Sequence, residues 1–169
     1  NVHGQTNVPG GLTDVTAITG GGHHSLALKS DGTVVAWGLD YEGENDILDD
    51  LTGVVDIAGG GYHSLALKSD GTVVAWGSNG SGQTDVPPGL SDVTAIAAGL
   101  WQSLALKSDG TVVAWGSNTY DQTDVPDGLT GVIDIAGLML GSMALKSDGT
   151  LVAWGWWNWT GGGDAPSGL

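Results

Sequence analysis

The chain has 169 residues, which is enough for one ordinary hydrophobic core and too few for two comfortable domains. It contains 31 Gly and no Cys, and four Lys against 19 acidic residues give a formal net charge of −15. Nucleic acids and anionic membranes are bound mainly through Lys and Arg, so this charge argues against both as partners. The lack of Cys excludes disulfides, thiolate metal sites and a Cys nucleophile. No apolar run reaches the roughly 18 residues that a membrane-spanning helix needs.

Neither an initiator Met nor a signal-like segment is present in the sequence. We therefore expect a processed or engineered product. We expect a secreted bacterial protein or an engineered one, although the sequence does not itself give the localisation.

One unit of 39 residues occurs four times along the chain. The segment SLALKSDGTVVAWG occupies residues 25–38, 64–77 and 103–116, and the variant SMALKSDGTLVAWG occupies 142–155. Its Lys recurs at positions 29, 68, 107 and 146, and its Trp at positions 37, 76, 115 and 154. Self-similarity at such a period is typical of solenoids and propellers, and it must be recognised before any single segment is interpreted.

Each unit contains three predicted strands in the same order. The first is VTAI, from Val15 in unit one, and a Gly-rich loop separates it from SLALK. The third, TVVAW, is rich in β-branched and aromatic residues, and the Ser-Asp-Gly between it and SLALK predicts a tight hairpin turn. A linker such as GQTDVPPG at 82–89 follows, and it adds a fourth strand if it is extended.

Such small units cannot bury two sheet faces alone, so they must stack on one another. Radial stacking predicts an all-β fold, a β-propeller of 39-residue, three- to four-stranded blades with four blades per chain. A linear β-solenoid is the alternative, although its coils are usually shorter. We expect one domain over 1–169, with units at 12–50, 51–89, 90–128 and 129–168 and with 1–11 as a linker or closure segment.

The motif HSLALKSDGTVVAWGSNGSGQTDVP resembles the repeats of the regulator of chromosome condensation superfamily. It is most similar to the short-blade bacterial branch that includes the propeller-type β-lactamase inhibitor proteins. The resemblance covers essentially the whole chain and implies a non-catalytic, protein-binding propeller. Members usually close with seven blades, whereas this chain has four units, so the particular target of the inhibitors does not transfer.

The number of blades in the closed ring is predicted from two patterns. Residues 4–12 match the linker at 82–90 and residues 158–169 supply an altered copy, so four units come with five linkers. In addition, Asp-Val-Thr-Ala in units one and three alternates with Gly-Val followed by Asp56 or Asp134 in units two and four. This alternation favours an even ring, and we expect an eight-bladed homodimer over a four-bladed monomer or a fragment.

Two loops carry almost all the variation between units, and hairpin geometry places both at the same end, which we call the top face. They are residues 21–24, 60–63, 99–102 and 138–141 before SLAL, and 39–42, 78–81, 117–120 and 156–159 after VVAWG. Varied loops on a rigid frame are typical of binding proteins, and Trp, Tyr and Met are common interface anchors. The resemblance to the inhibitors also points to aromatic residues in these loops.

We therefore predict that the top face binds a protein partner or a second copy of the chain. Leu138 and Met139 could instead fill a central channel, whereas three closely spaced indoles cannot all be core. The predicted contact residues are His23, His24, Tyr41, Tyr62, His63, Leu100, Trp101, Gln102, Tyr120, Met139, Leu140, Trp156, Trp157 and Trp159. The repeated Trp of VVAWG is attributed to packing between blades.

Catalysis is not expected, because no nucleophile or matched acid–base pair stands out, and no cofactor is predicted. His23, His24 and His63 lie on neighbouring loops near acidic residues, which suggests a metal site, but a variable surface is the favoured interpretation. Two other functions stay open. One is a lectin that stacks sugars on the top-face Trp residues, and the other is a structural or engineered assembly module without a ligand.

Overall fold

The computed structural model describes residues 1–156, and these form an all-β fold. Twelve strands occur in chain order, named β1 to β12: Val15–Gly20, His24–Lys29, Val34–Gly38, Val54–Gly59, His63–Lys68, Val73–Gly77, Val93–Ala98, Gln102–Lys107, Val112–Gly116, Val132–Gly137, Gly141–Lys146 and Leu151–Gly155. They pair antiparallel, three consecutive strands to a sheet, giving four sheets. The predicted fold class is confirmed, with three strands to a blade. Within the described residues no helix is long and apolar enough to cross a membrane.

The hairpin turns close as the Ser-Asp-Gly signal predicts. In the first blade the Asp31 carboxylate accepts the backbone N–H of Thr33 at 2.9 Å, and Gly32 has φ of 82°, in the left-handed region that favours glycine. The Lys29 ammonium lies 3.5 Å from the same carboxylate. All four turns repeat this arrangement, and they define the end of the molecule opposite the top face.

Each of the four linkers within residues 1–156 completes the blade that follows it, without forming a fourth strand. The indole Nε1–H of Trp76 and the hydroxyl of Ser64 both donate to the backbone carbonyl of Glu44, at 2.9 and 3.1 Å. The equivalent carbonyls of Gln5, Gln83 and Gln122 accept the same two hydrogen bonds in the other blades. The repeated Trp therefore anchors a linker as well as packing in the blade.

The core lies between neighbouring sheets. Leu65, Leu67 and Val73 of the second sheet pack on Val93 and Ile96 of the third. The same set of positions joins the first sheet to the second and the third to the fourth. Every sheet thus has one face for the preceding blade and another for the following blade, as a propeller requires.

The alternation noted in the sequence has a backbone cause. Asp14 and Asp92 have positive φ, 62° and 59°, and the Gly at the equivalent positions of units two and four has φ of 70°. Glycine adopts this conformation freely, and Asp is one of the few other residues that tolerate it. A bulge follows in the first strand of each blade. Asp in units one and three and Gly in units two and four therefore satisfy the same backbone requirement, a positive φ just before an irregular first strand.

The first blade lacks the cover that the other three receive. Ile18 is 77% exposed, whereas the equivalent Ile57, Ile96 and Ile135 are 6–8% exposed. Among residues 1–156 no cluster of buried residues joins the fourth sheet to the first. As far as the structure describes the chain, the series of four blades therefore has one uncovered face at each end.

Candidate functional site: the top face

Backbone hydrogen bonds bring the two variable loops of each blade together. The N–H of Ser78 donates to the carbonyl of Tyr62 at 2.8 Å, and the N–H of Trp156 donates to that of Leu140 at 2.9 Å. The first and third blades contain the same bond, from Leu39 to His23 and from Ser117 to Trp101. Both loops therefore lie at one end of every described blade, as the hairpin argument predicted.

The loops before SLAL also connect one blade to the next. Gly22 N–H donates to the carbonyl of Gly60 at 2.9 Å, and Gly61 repeats this with the third blade at 3.1 Å. Where Leu100 replaces the glycine, the bond to Leu138 lengthens to 3.4 Å. The loops surround a shallow depression of about 190 Å³ that Leu100, Leu138 and the exposed Met139 help to line.

Aromatic side chains form two groups on this face. In the first, the ring centroids of His23 and Tyr62 are 5.3 Å apart, and His3 lies edge-on to His23 at 5.1 Å. In the second, the rings of Tyr120 and Trp156 stack at 5.3 Å and both side chains are exposed. Stacked, partly exposed aromatic rings offer a large apolar area with a polar edge, which suits protein recognition.

Side-chain hydrogen bonds hold the loop that carries Tyr120 and the equivalent loop of the second blade. Asn79 donates from its amide to the Asp85 carboxylate at 2.7 Å and accepts the backbone N–H of Thr84 at 3.1 Å. Asn118 makes the same pair of contacts, with Asp124 and Thr123. A loop fixed in this way loses little conformational entropy when it binds, which favours affinity.

Three predicted contact residues are buried and do not lie on the surface. The ring Nε2 of His24 is 3.0 Å from the Ser64 hydroxyl of the second blade, and His63 makes the same contact with Ser103 of the third. Gln102 donates to two backbone carbonyls of the fourth blade. The prediction that these residues are variable surface positions is wrong, because they are hydrogen-bonded contacts between blades.

Burial of these two His rings disfavours their charged form. It lowers the pKa of His63 to about 4, with a further lowering from His24. Burial also lowers the pKa of His24, although the carboxylates of Glu44 and Asp40 oppose it. Within residues 1–156 no three His, Asp or Glu side chains lie close enough to bind a metal ion together.

Glu44 is part of the repeated blade structure and not of the variable top-face loops. Its side chain is fully buried, and one carboxylate oxygen accepts the backbone N–H of Glu42 at 2.7 Å. Gln83 and Gln122 use their amide oxygen in the same way at the equivalent positions. Although Glu44 lies in an acidic stretch of the sequence, it is therefore a buried structural residue and not part of a solvated linker.

The remaining predicted residues divide by exposure. Tyr41, Tyr120, Met139 and Trp156 are exposed, and His23, Tyr62, Leu100, Trp101 and Leu140 are half-buried. Trp157 and Trp159 lie outside the described residues. His3 was missed by the sequence analysis, although the 39-residue repeat places it at the position of Tyr120.

Comparison with known proteins adds a family. The model of the regulator of chromosome condensation (RCC1) repeat matches residues 15–44, 54–83 and 93–122, together more than half of the chain. The chain belongs to this repeat family. Each match begins at the first strand of a blade and ends at the linker residue that accepts the indole of the next blade. The resemblance to RCC1-type repeats is thus confirmed, and the bacterial inhibitor branch is not tested by it.

Solved propellers of several kinds are similar in structure. Prp20p from Saccharomyces cerevisiae superposes with a TM-score of 0.74 and 22% identity, over 86% of this chain and 47% of its own. The ectodomain of the Physcomitrella patens receptor kinase CR4 gives 0.71 and 24%, over 89% and 44%. The computationally designed Ika4 gives 0.53 and 22%, over 86% and 93%. This RCC1-repeat chain spans about half the length of the first two, and no curated protein sequence matches it.

Proposed function

We propose that this RCC1-repeat propeller is a non-catalytic binding protein whose top face recognises a protein partner. The stacked pair of Tyr120 and Trp156 carries this proposal, because two exposed aromatic rings stand side by side and hydrogen bonds fix the loop that carries Tyr120. Burial of such rings contributes about 1.5–3 kcal/mol each from area alone. Tyr62, Trp101 and Met139 would extend the contact area toward the middle of the face.

The partner's surface is expected to be basic. The chain has a net charge of −15, and the exposed Asp40, Tyr41 and Glu42 lie in one top-face loop. Opposite charge on the partner would speed association and make it sensitive to salt. Two structures of one RCC1-type neighbour, Prp20p of yeast, come from work on its protein partners, namely Gsp1p and histones in one and Kap60 in the other. These examples support protein recognition in general.

A partner can be sought with a photo-reactive amino acid at Tyr41, which is exposed on the top face. The captured protein, once purified, is titrated against the wild type and the double variant Tyr120→Ala/Trp156→Ala. We expect the loss of both rings to weaken binding at least tenfold. The control is Val55→Ala, which also truncates an exposed apolar side chain but lies near the opposite end, where Val54 pairs with Lys68.

Equal weakening by both variants, or none by the double variant, would contradict recognition by the stacked pair. A glycan array tests the lectin alternative with the same proteins. Sugar binding that is lost in Tyr120→Ala/Trp156→Ala would replace the protein partner with a carbohydrate.

A second copy of the chain is the other partner that we propose, as expected from the sequence. The observation that favours it is the exposure of Ile18 at the uncovered end of the first blade. This association would use the two ends of the blade series and leave the top face free.

A further inference from the structure

The first blade has an open apolar cleft where the other blades have a neighbour. The cleft has a volume of about 560 Å³, and Val8, Leu12, Val15, Ile18 and Trp37 are among the residues that line it. In the later blades the residues equivalent to Ile18 and Trp37 are buried, because the preceding sheet covers them. The cleft therefore has the shape of a blade contact that lacks one partner.

The fourth blade has the matching half of this contact. Leu65 and Leu67 of the second blade are almost fully buried against the third, whereas the equivalent Met143 and Leu145 are only half-buried. Leu151 is 44% exposed, while Val73 at its position in the second blade is 8% exposed. Two substitutions within the repeated segment, Met for Leu at 143 and Leu for Val at 151, fall on this face.

We propose that Met143, Leu145 and Leu151 of one copy fill the cleft on the first blade of a second copy, and that two copies joined at both ends close an eight-bladed ring. This inference deepens the proposed self-association and is independent of top-face recognition. Three contacts within the chain already use the same pair of faces, so the new contact continues an existing series. An even ring also preserves the alternation of Asp and Gly at the strand starts.

The contact between copies is expected to be weaker than the contacts within a chain. In the first three blades the side chains of His24, His63 and Gln102 form hydrogen bonds to the next blade. The equivalent residue of the fourth blade is Gly141, so the contact between copies lacks this side-chain hydrogen bond. The backbone hydrogen bonds between the loops before SLAL lengthen from 2.9 Å at Gly22 to 3.4 Å at Leu100. The equivalent loop of unit four contains Leu138 and Met139. Contact between copies would therefore be mainly apolar, and the ring should dissociate on dilution.

Charge sets the salt dependence of this association. Each copy has a net charge of −15, so two copies repel one another, and salt screens this repulsion. We expect the dissociation constant to decrease by at least tenfold between 0.02 and about 0.5 M NaCl. A contact between oppositely charged surfaces would respond in the other direction.

Sedimentation equilibrium over a range of concentrations tests the proposal. We expect the 17.0 kDa chain to give a two-chain mass that falls to the one-chain value on dilution. Ile18→Asp places a charge in the cleft and should abolish the dimer. Ile133→Asp is the matched control, because Ile133 is also exposed but belongs to a position that is exposed in all four blades. Each variant should keep its sheet circular dichroism, and Ile133→Asp should also keep the thermal midpoint of the wild type.

Three results would overturn the proposal: a single-chain mass at every concentration, a dimer that survives Ile18→Asp, or oligomers that grow without limit. Crosslinking gives an independent answer, since the chain has no Cys of its own. A short bismaleimide applied to Ile18→Cys/Leu151→Cys should give a covalent two-chain product. An internal crosslink at single-chain mass would show instead that the four blades close on themselves.

Failure of this proposal can be distinguished from failure of top-face recognition. Tyr120→Ala/Trp156→Ala should lose the captured partner and keep the two-chain mass. Ile18→Asp should lose the two-chain mass and keep partner binding at the Tyr120 and Trp156 pair. If Ile18→Asp changed neither mass nor partner binding, only the ring would be refuted.

Discussion

Acidification should weaken the contact between the second and third blades through His63. This residue is neutral and buried in the folded protein, where its pKa is about 4, and it returns to about 6.5 when the chain unfolds. The unfolded state therefore binds the proton first as the pH falls. Stability from neutral His63 is complete above pH 6.5, declines below it, and levels off near pH 4.

The size of the effect follows from this difference in pKa. One unit corresponds to about 1.4 kcal/mol, so the titration of His63 should lower the free energy of unfolding by about 2–3 kcal/mol between pH 7.5 and pH 4.5. His24 should cost less, because the carboxylates of Glu44 and Asp40 partly offset its burial. The measurement is urea unfolding, followed by tryptophan fluorescence, at several pH values.

The repeat itself provides the control. Gln102 occupies the position of His63 in the third blade and satisfies its amide on the fourth blade, so His63→Gln should fold with a bond of the same kind. The variant cannot take up a proton at this position. Its unfolding free energy should fall by about 2–3 kcal/mol less than that of the wild type over this pH range. Parallel pH profiles for the two proteins would refute the assignment.

Three further predictions concern the frame, and all are measured by urea unfolding. Gly77→Ala should destabilise by about 2–4 kcal/mol, because φ there is 95° and a Cβ would press on backbone atoms, whereas Gly80→Ala, in open space, should be nearly neutral. Trp76→Phe should cost about 1–3 kcal/mol, since it leaves a buried carbonyl with one fewer donor. Gly60→Leu should destabilise strongly because the His63 ring lies against this Cα, and adding His63→Gly should recover part of the loss.

The architecture was predictable because local signals and the repeat agree. Alternating segments such as SLAL predict strands, and the Ser-Asp-Gly turn predicts that the strands on either side of it form an antiparallel hairpin. All four units support the same prediction. The assignment of linkers to blades was not predictable. It depends on hydrogen bonds between residues 32 apart, such as Trp76 to Glu44, for which no local pattern exists.

Three buried positions of the candidate site were predicted less well, for a physical reason. Positions 24, 63, 102 and 141 vary between His, Gln and Gly, and such variation suggested a surface. In the fold they lie between blades, where His and Gln reach the next blade by different hydrogen bonds of similar length. Variation among residues of equivalent hydrogen-bonding capacity is therefore compatible with burial.

In unit four, a sequence difference that resembles functional variation is explained by packing. Units one to three have Gly three residues before the buried His or Gln, and a Cβ there would collide with that side chain. In unit four the larger residue comes first, as Leu138, and the smaller one second, as Gly141. The differences at these two positions are therefore explained by steric compensation. The same test does not explain Tyr120 and Trp156. Both are exposed, and among residues 1–156 each ring stacks on the other alone, so packing within a described blade does not require either ring and recognition of a partner is the better reason for their presence.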